Sequence, residues 1–342
     1  MAFAGYAPGR VNLIGEHIDY NGGMVLPAAL SIGIEVELAP RTDGVVTVAA
    51  DPYDEVARRS IDDGASGHWS DPAVGAVREA RALGLVDGGA SLTIRSTIPQ
   101  GSGLSSSAAL IVAILKAARD AGQGTQGDVE LAVAARRVEN DYMGVPCGIM
   151  DQMAVAVATP GTAIALDTES LDYEIAALPQ SHDFVVLHSG VTRKLADGRY
   201  KERKLECDRA KAFFGTANLC SLEPEDIAGS ALEEPYRSRA LHCATEHRRV
   251  LAALAAIKAG DIGTLAGAMA QSHASMRDDF AVSLPPIDAL VADAMAMGAD
   301  GARLTGGGFG GCIVALVDKG AREDWLGSVL AAHPDARFVA SV

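Results

Sequence analysis

No run of about 18 uninterrupted apolar residues occurs among the 342 residues, so no transmembrane helix is expected. The N-terminus, Met1 to Gly9, has no basic patch followed by an apolar run, and no signal peptide is expected. Cysteine is scarce. The five residues Cys147, Cys207, Cys220, Cys243 and Cys312 are odd in number and form no C-x-x-C pair. That argues against a disulfide framework and points to free thiols in a reducing, cytoplasmic setting. Basic residues are few: 29 Lys and Arg stand against 44 Asp and Glu, a net charge of −15. Such an excess would repel phosphates and anionic lipids, which argues against nucleic-acid or membrane-surface binding as the main activity. An anionic ligand must therefore be held locally, by backbone N–H groups or a metal. Fixed-period repeats and low-complexity segments are also missing.

What is present is ample core material, with 49% hydrophobic residues, 21% charged residues and 37 glycines. At roughly 150 residues per domain, the length predicts two domains or one large one. Alternation of Ile32, Ile34, Val36 and Leu38 predicts a strand within 24–40, and further strands are expected at 45–50, 91–98 and 184–188. Helical spacing is expected over 71–83, 104–121, 128–143, 148–158, 200–214, 241–258, 262–277 and 286–297. Residues 216–238 read as loop. The C-terminal end reads as strand, glycine loop and strand over 301–317. This mixed order favours an α+β fold rather than a regular βαβ alternation. The boundary falls before the strand at 184, giving domains 1–180 and 181–342.

Three glycine-bearing motifs carry the chemistry. The first runs Ala7-Pro8-Gly9-Arg10-Val11-Asn12-Leu13-Ile14-Gly15-Glu16-His17-Ile18-Asp19-Tyr20-Asn21. It packs a cation, two carboxylates and an imidazole into one stretch, a set able to read several hydroxyls, since carboxylates accept and His donates or accepts. Taken alone, it is equally a polar turn with a satisfied ion pair. The second, Pro99-Gln100-Gly101-Ser102-Gly103-Leu104-Ser105-Ser106-Ser107, lies between a strand and an apolar helix. There, glycines allow close backbone approach and the helix start offers unpaired N–H groups, a phosphate site in the making. An ordinary N-cap needs only one serine. The third, Thr305-Gly306-Gly307-Gly308-Phe309-Gly310-Gly311-Cys312, formally contains G-x-G-x-x-G. A strand rather than a helix follows it, so it is not a dinucleotide site. With no Gly-Lys dipeptide, no H-R-D and no D-F-G, P-loop NTPases and protein kinases are excluded. His242 and His247 are five apart and form no zinc motif.

In this order and at these distances, the three motifs resemble those of the GHMP kinase superfamily, and the first closely resembles the galactokinase signature. The likeness covers essentially the whole chain. It implies two lobes with an active site in the cleft between them. The N-terminal lobe would be a mixed sheet with helices of the ribosomal-protein type, and the C-terminal lobe a ferredoxin-like α/β sandwich. The implied activity is transfer of the γ-phosphoryl group of Mg-ATP to the C1 hydroxyl of D-galactose.

Site residues follow by the same resemblance. Asp151, in Val145-Pro146-Cys147-Gly148-Ile149-Met150-Asp151-Gln152, matches the catalytic aspartate, and Arg10 the arginine that stabilises the reacting charge. Glu16, His17, Ile18, Asp19, Gly148 and Tyr200 fall at sugar-binding positions. Gly101, Ser102, Gly103, Leu104, Ser105, Ser106 and Ser107 match the ATP phosphate loop, and Ser107 with Glu139 the Mg²⁺ ligands. Trp69 lies where the family places an aromatic near adenine, although a core Trp is the simpler account. One position departs from the signature: Thr is usual where this chain has Ile18, and Ile occurs there in N-acetylgalactosamine kinases. A kinase for N-acetylgalactosamine or arabinose is therefore the alternative. The expected ligands are ATP, D-galactose and Mg²⁺, with no nucleic-acid or membrane partner and a monomeric chain.

Overall fold

The computed structural model describes residues 1–51, 53–191 and 196–342, with backbone alone at 196–197. The first half holds strands β1 (Phe3–Asn12), β2 (Met24–Val25), β3 (Pro27–Pro40), β4 (Val45–Ala50) and β5 (Ala57–Ser60), then helix α1 (Asp71–Ala82) and β6 (Ala90–Ser96). Helices α2 (Ser106–Gly122), α3 (Asp128–Arg137) and α4 (Met150–Val157) follow. Next come β7 (Thr162–Asp167), β8 (Tyr173–Ala177) and β9 (His182–His188). Five helices succeed them: α5 (Ala196–Phe214), α6 (Pro224–Ala228), α7 (Tyr236–Ala259), α8 (Ile262–Asp278) and α9 (Pro285–Ala296). Strands β10 (Gly301–Thr305) and β11 (Cys312–Asp318), helix α10 (Arg322–Ala332) and β12 (Arg337–Ser341) close the chain.

The chain divides into two compact units that interleave along the sequence. The first comprises Met1–Arg10, Leu30–Gln100 and Leu104–Ala158, and the second Val11–Ala29, Gly101–Gly103 and Thr159–Val342. Both the first motif and the phosphate loop are thus shared out at the level of single residues.

In the first unit, β3 pairs antiparallel with β6, β6 parallel with β4, and β4 antiparallel with β5. Helix α2 is buried nearly all round, through Ile111, Val112, Ile114, Leu115 and its alanines, as expected of a helix at the centre of a core. Gly5 explains how β1 passes so near it: a Cβ there would lie 2.0 Å from the Ala113 carbonyl oxygen. The helix expected over 128–143 does not run through regularly. It ends at Arg137 and continues as a single π-helical turn, Val138–Tyr142. Such turns insert one extra residue and recur at functional sites.

In the second unit, β10, β11, β9 and β12 form an antiparallel sheet in that spatial order. β11 is buried from Cys312 to Val317, which is why it reads as an unbroken apolar run. Helices α7 and α8 pack on one another, and α8 packs on β10. β2, β7 and β8 pair antiparallel in turn. Together the units give the expected α+β class.

Several elements escaped the sequence reading. β8 exposes Tyr173, Glu174 and Ile175, so it has no buried alternation to read. α10 buries only Trp325 and Val329, too few for a helical stripe. The stretch 216–238, read as loop, holds the short helix α6 and a 3₁₀ turn at Leu219–Ser221. Among the described residues, no helix is long and apolar enough to cross a membrane.

Candidate active site

In the first unit, Arg10 and Asp151 meet although 141 residues separate them. Arg10 comes from the end of β1, whose backbone N–H donates to the Leu104 carbonyl at 3.3 Å. Asp151 sits in the first turn of α4, where the helix dipole favours a negative charge. The guanidinium grips the carboxylate in fork geometry, Nε to Oδ1 at 2.8 Å and Nη2 to Oδ2 at 2.7 Å. The Ser105 hydroxyl adds a third donor, to Oδ2 at 2.5 Å. The arginine side chain is buried, while the aspartate keeps 31% of its surface exposed. A charged, bidentate pair with one side open to solvent is equipped to receive a proton or stabilise a developing charge.

The π-turn carries Glu139 inward. Its carboxylate accepts from Gln152 Nε2. Burial pushes its pKa up and the Asp151 charge adds to this, against the hydrogen bond from Gln152, the nearby Ser107 hydroxyl and the Arg10 charge. Ser107 Oγ favours the ionised carboxylate, yet it completes no hydrogen bond by geometry. Among the described residues there is no cluster of three or more His, Cys, Asp or Glu side chains able to hold a metal. One hydroxyl and one carboxylate nevertheless suit Mg²⁺, which takes oxygen ligands and retains several waters.

The phosphate loop has alternating left-handed backbone, with φ of +69° at Gly101, +75° at Gly103 and +60° at Ser105. Alternation of this kind turns successive N–H groups toward one concave side, an anion-binding nest.

In the second unit, the first motif is held by a dry polar network. Glu16 Oε1 accepts from the Gly306 N–H at 2.8 Å, while Thr305 Oγ1, 3.2 Å away, has its single hydrogen nearer the Asn12 carbonyl at 2.8 Å. Its Oε2 accepts from Asn12 Nδ2 at 2.9 Å and from Arg303 Nη2. Three protein donors, Gly306, Asn12 and Arg303, thus hold this carboxylate. Burial raises its pKa, against the Arg303 charge and the Gly306 hydrogen bond. Arg303 is fully buried and also donates to the Leu13 carbonyl at 2.8 Å. Behind it, Glu246 accepts from Gly15 N–H at 3.0 Å, Ser272 Oγ at 2.6 Å and Arg249 Nε at 2.7 Å. Burial alone would raise the Glu246 pKa, but the charges of Arg249, His242 and Arg303 and the Ser272 bond prevail and bring it to about 2. His242 bridges Ser275 at 2.9 Å and the Glu16 carbonyl at 3.1 Å, and burial depresses its pKa to about 4.

His17 has a left-handed backbone, φ +62°. Its ring packs at a tilt against those of Phe280 (centroids 4.7 Å apart) and Tyr200 (5.2 Å), and Nδ1 lies 2.8 Å from the Tyr20 hydroxyl. Tyr200 is half-buried on α5 and leans on Gly307, where a Cβ would meet its ring at 3.3 Å. Asp19 is half-exposed and Gly148 buried. The Ile18 side chain has no exposed surface and packs on Gly23, so it can bear on sugar choice only through the packing of the loop. Trp69 is not a core residue: it stacks on Tyr53 at 4.1 Å, half-exposed.

The sequence reading missed Arg303, Thr305, Glu246 and the Asp151–Ser105 bond. Arg303 did leave a signal, being a lone charge inside the apolar strand Gly301–Thr305, and a buried charge demands a partner.

The chain matches the description "GHMP kinases N terminal domain" over residues 67–159, "Galactokinase galactose-binding signature" over 2–40 and "GHMP kinases C terminal" over 253–332. It is 42% identical over 341 residues to a galactokinase of Roseiflexus sp. (strain RS-1), covering 96% of this chain and 87% of that protein. Among solved structures, galactokinase of Lactococcus lactis complexed with galactose superposes with a TM-score of 0.94 at 31% identity, covering 99% of this chain and 93% of that one. The mevalonate kinase of Methanococcus jannaschii, at 18% identity and TM-score 0.72 over 100% of this chain and 97% of that one, shares the fold. The first motif, the phosphate loop and the two-unit α+β fold therefore have one explanation: this chain belongs to the galactokinase family of GHMP kinases.

Proposed function

We propose that this ATP-dependent sugar kinase phosphorylates D-galactose at C1, giving galactose 1-phosphate and ADP. The observation that carries the reading is the bidentate Arg10–Asp151 pair, in a chain whose residues 2–40 match the galactose-binding signature. In the transfer, the C1 oxygen bonds to the γ-phosphorus and the bond to the β–γ bridging oxygen breaks. ADP departs with that electron pair, and the hydroxyl proton passes to Asp151. Arg10 holds the carboxylate in place and offsets charge developing on the phosphoryl group.

Gly101, Ser102, Gly103, Leu104, Ser105, Ser106 and Ser107 receive the ATP phosphates, chiefly through backbone N–H groups of the left-handed nest. Ser107 and Glu139 would hold Mg²⁺. When bound, the ion neutralises phosphate charge. His17, Asp19 and Tyr200 face the sugar hydroxyls, and Gly148 allows close approach. Glu16 and Ile18 belong to the same set by holding its loop, since both are buried and Glu16 is held by protein donors. The partition into 1–180 and 181–342 is proposed for the matched segments at 67–159 and 253–332, each of which falls within one part, whereas the compact units interleave. All five cysteines are free, in keeping with a reducing cytoplasm, and a monomeric chain is part of the proposal.

The test is ADP release with Mg-ATP against galactose, glucose, N-acetylgalactosamine, 2-deoxygalactose and arabinose. Strong turnover with galactose and little with glucose or N-acetylgalactosamine is expected. Preference for N-acetylgalactosamine would move the substrate, while silence with every sugar would remove the kinase reading.

A further inference from the structure

We infer that the Ser105 side chain is a positioning residue for Asp151 rather than a ligand of the ATP phosphates. This rests on the reading of Asp151 as proton acceptor. Ser105 is the N-cap of α2. A serine there ordinarily takes an extended backbone and accepts a hydrogen bond from an amide two or three residues on. Ser105 does neither: its φ is +60° and ψ +40°, and its side chain makes no cap bond. A non-glycine residue adopts that conformation rarely and only where its surroundings fix it, and such residues gather at functional sites. What the hydroxyl does instead is reach across 46 residues to Asp151 Oδ2, at 2.5 Å.

A hydroxyl has one hydrogen. With that hydrogen committed to Asp151, Ser105 Oγ presents only lone pairs elsewhere, and lone pairs repel an anionic phosphate oxygen. The same bond sorts the two carboxylate oxygens. Among the described residues, Oδ2 carries two donors, Arg10 Nη2 and Ser105 Oγ, whereas Oδ1 carries Arg10 Nε alone. Each oxygen of an ionised carboxylate offers about two lone-pair sites, so Oδ2 is filled and Oδ1 keeps one. The sugar proton therefore goes to Oδ1. Without Ser105, each oxygen would keep one open site, and an incoming hydroxyl would settle in two poses of which one is productive. The loss falls on turnover, not on nucleotide binding.

Steady-state kinetics of Ser105→Ala and Ser105→Gly, with ADP affinity by titration calorimetry and Asp151→Asn alongside, test this. Both variants lose the hydroxyl, but glycine accepts a left-handed backbone freely and alanine does not. Ser105→Gly therefore remains a folded test if Ser105→Ala fails to fold. The expected result is a fall in kcat of about 10- to 100-fold in both variants, with ADP affinity and the KM for ATP within about two-fold of the parent. A KM for ATP raised about ten-fold with kcat retained would make Ser105 a phosphate ligand and overturn the proposal. So would a near-native kcat for Ser105→Gly, which would leave the backbone as the only thing that matters. Asp151→Asn separates the two levels. If it is inactive while the Ser105 variants turn over normally, only the positioning role falls. If it retains near-native turnover, the proton-acceptor reading falls and takes this proposal with it.

Discussion

Two buried arginines, each gripping a carboxylate, do different work. Arg10 and Asp151 form a fork with the aspartate side chain 31% exposed, and one lone-pair direction of Oδ1 remains open. Arg303 and Glu16 are both essentially dry, at 0% and 2%, and protein donors hold both oxygens of Glu16. An ion pair open on one side can exchange a proton with a ligand. A closed one can only hold its surroundings in place, because opening it strands a charge in a low-dielectric interior. The difference teaches that charge and position in a motif do not by themselves define a ligand contact. The burial of the carboxylate, together with the donors around it, decides.

The sharpest way to break the comparison is to change one carboxylate of each kind. Asp151→Ala removes the open pair. Turnover is expected to fall by about 10²- to 10⁴-fold, the range for losing a positioned proton acceptor, and thermal stability falls as well, because the buried Arg10 guanidinium loses this carboxylate. A folded variant with near-native turnover would strip Asp151 of its role. Arg303→Met reverses the pattern. It leaves Glu16 and Glu246 buried without their shared cation, and about 3–5 kcal/mol of stability should go, read by chemical denaturation. Unchanged stability would show that the closed network is not holding the first motif.

A smaller effect separates the regions by pH. His242 lies in the closed network, with a pKa of about 4 against an ordinary 6.5, chiefly from burial. His273, likewise lowered to about 4 by burial, hangs on α8 beside it. The unfolded chain takes up these protons first on acidification. The stability each neutral ring contributes is therefore complete above about pH 6.5 and drains away as the pH falls toward 4. For His242 the difference amounts to about 3 kcal/mol over that window. Glu246, held at about 2, acts lower, its share being lost only below its ordinary carboxylate range. Unfolding midpoints measured from pH 7 to 4 should fall, and His242→Asn should flatten the slope. A parallel slope in the variant would place the titration elsewhere.

How much of this was legible depended on whether the relevant partners lay close in sequence. Helices such as α2 and α8 were readable because their apolar residues recur at helical spacing. β8 was not, because it exposes four of its five residues. The first motif was readable as a polar cluster, and the resemblance supplied its roles. Nothing in the spacing foretold that Arg10 would close on Asp151 141 residues away, or that Glu16 would be spent on Arg303. Glu139 by itself reads as an exposed helical carboxylate. Its burial depends on the π-turn at Val138–Tyr142, which no helical periodicity announces. Arg303 alone could have been found from sequence, as a charge in a strand with no polar neighbour to solvate it.

The finest test falls on Tyr200. Its ring is fixed by packing, 5.2 Å from the His17 ring, 5.9 Å from that of Tyr20 and against Gly307. Tyr200→Phe keeps this packing and removes only the hydroxyl. If that hydroxyl reads the sugar, the KM for galactose should rise by about five-fold, the worth of one neutral hydrogen bond of about 1 kcal/mol, with the KM for ATP unmoved. Equal changes in both constants would mean that the hydroxyl serves the packing of the second unit, and Tyr200 would join Glu16 among residues that hold the site without touching the ligand. The two outcomes differ in which constant moves rather than in size, so the small effect remains decisive.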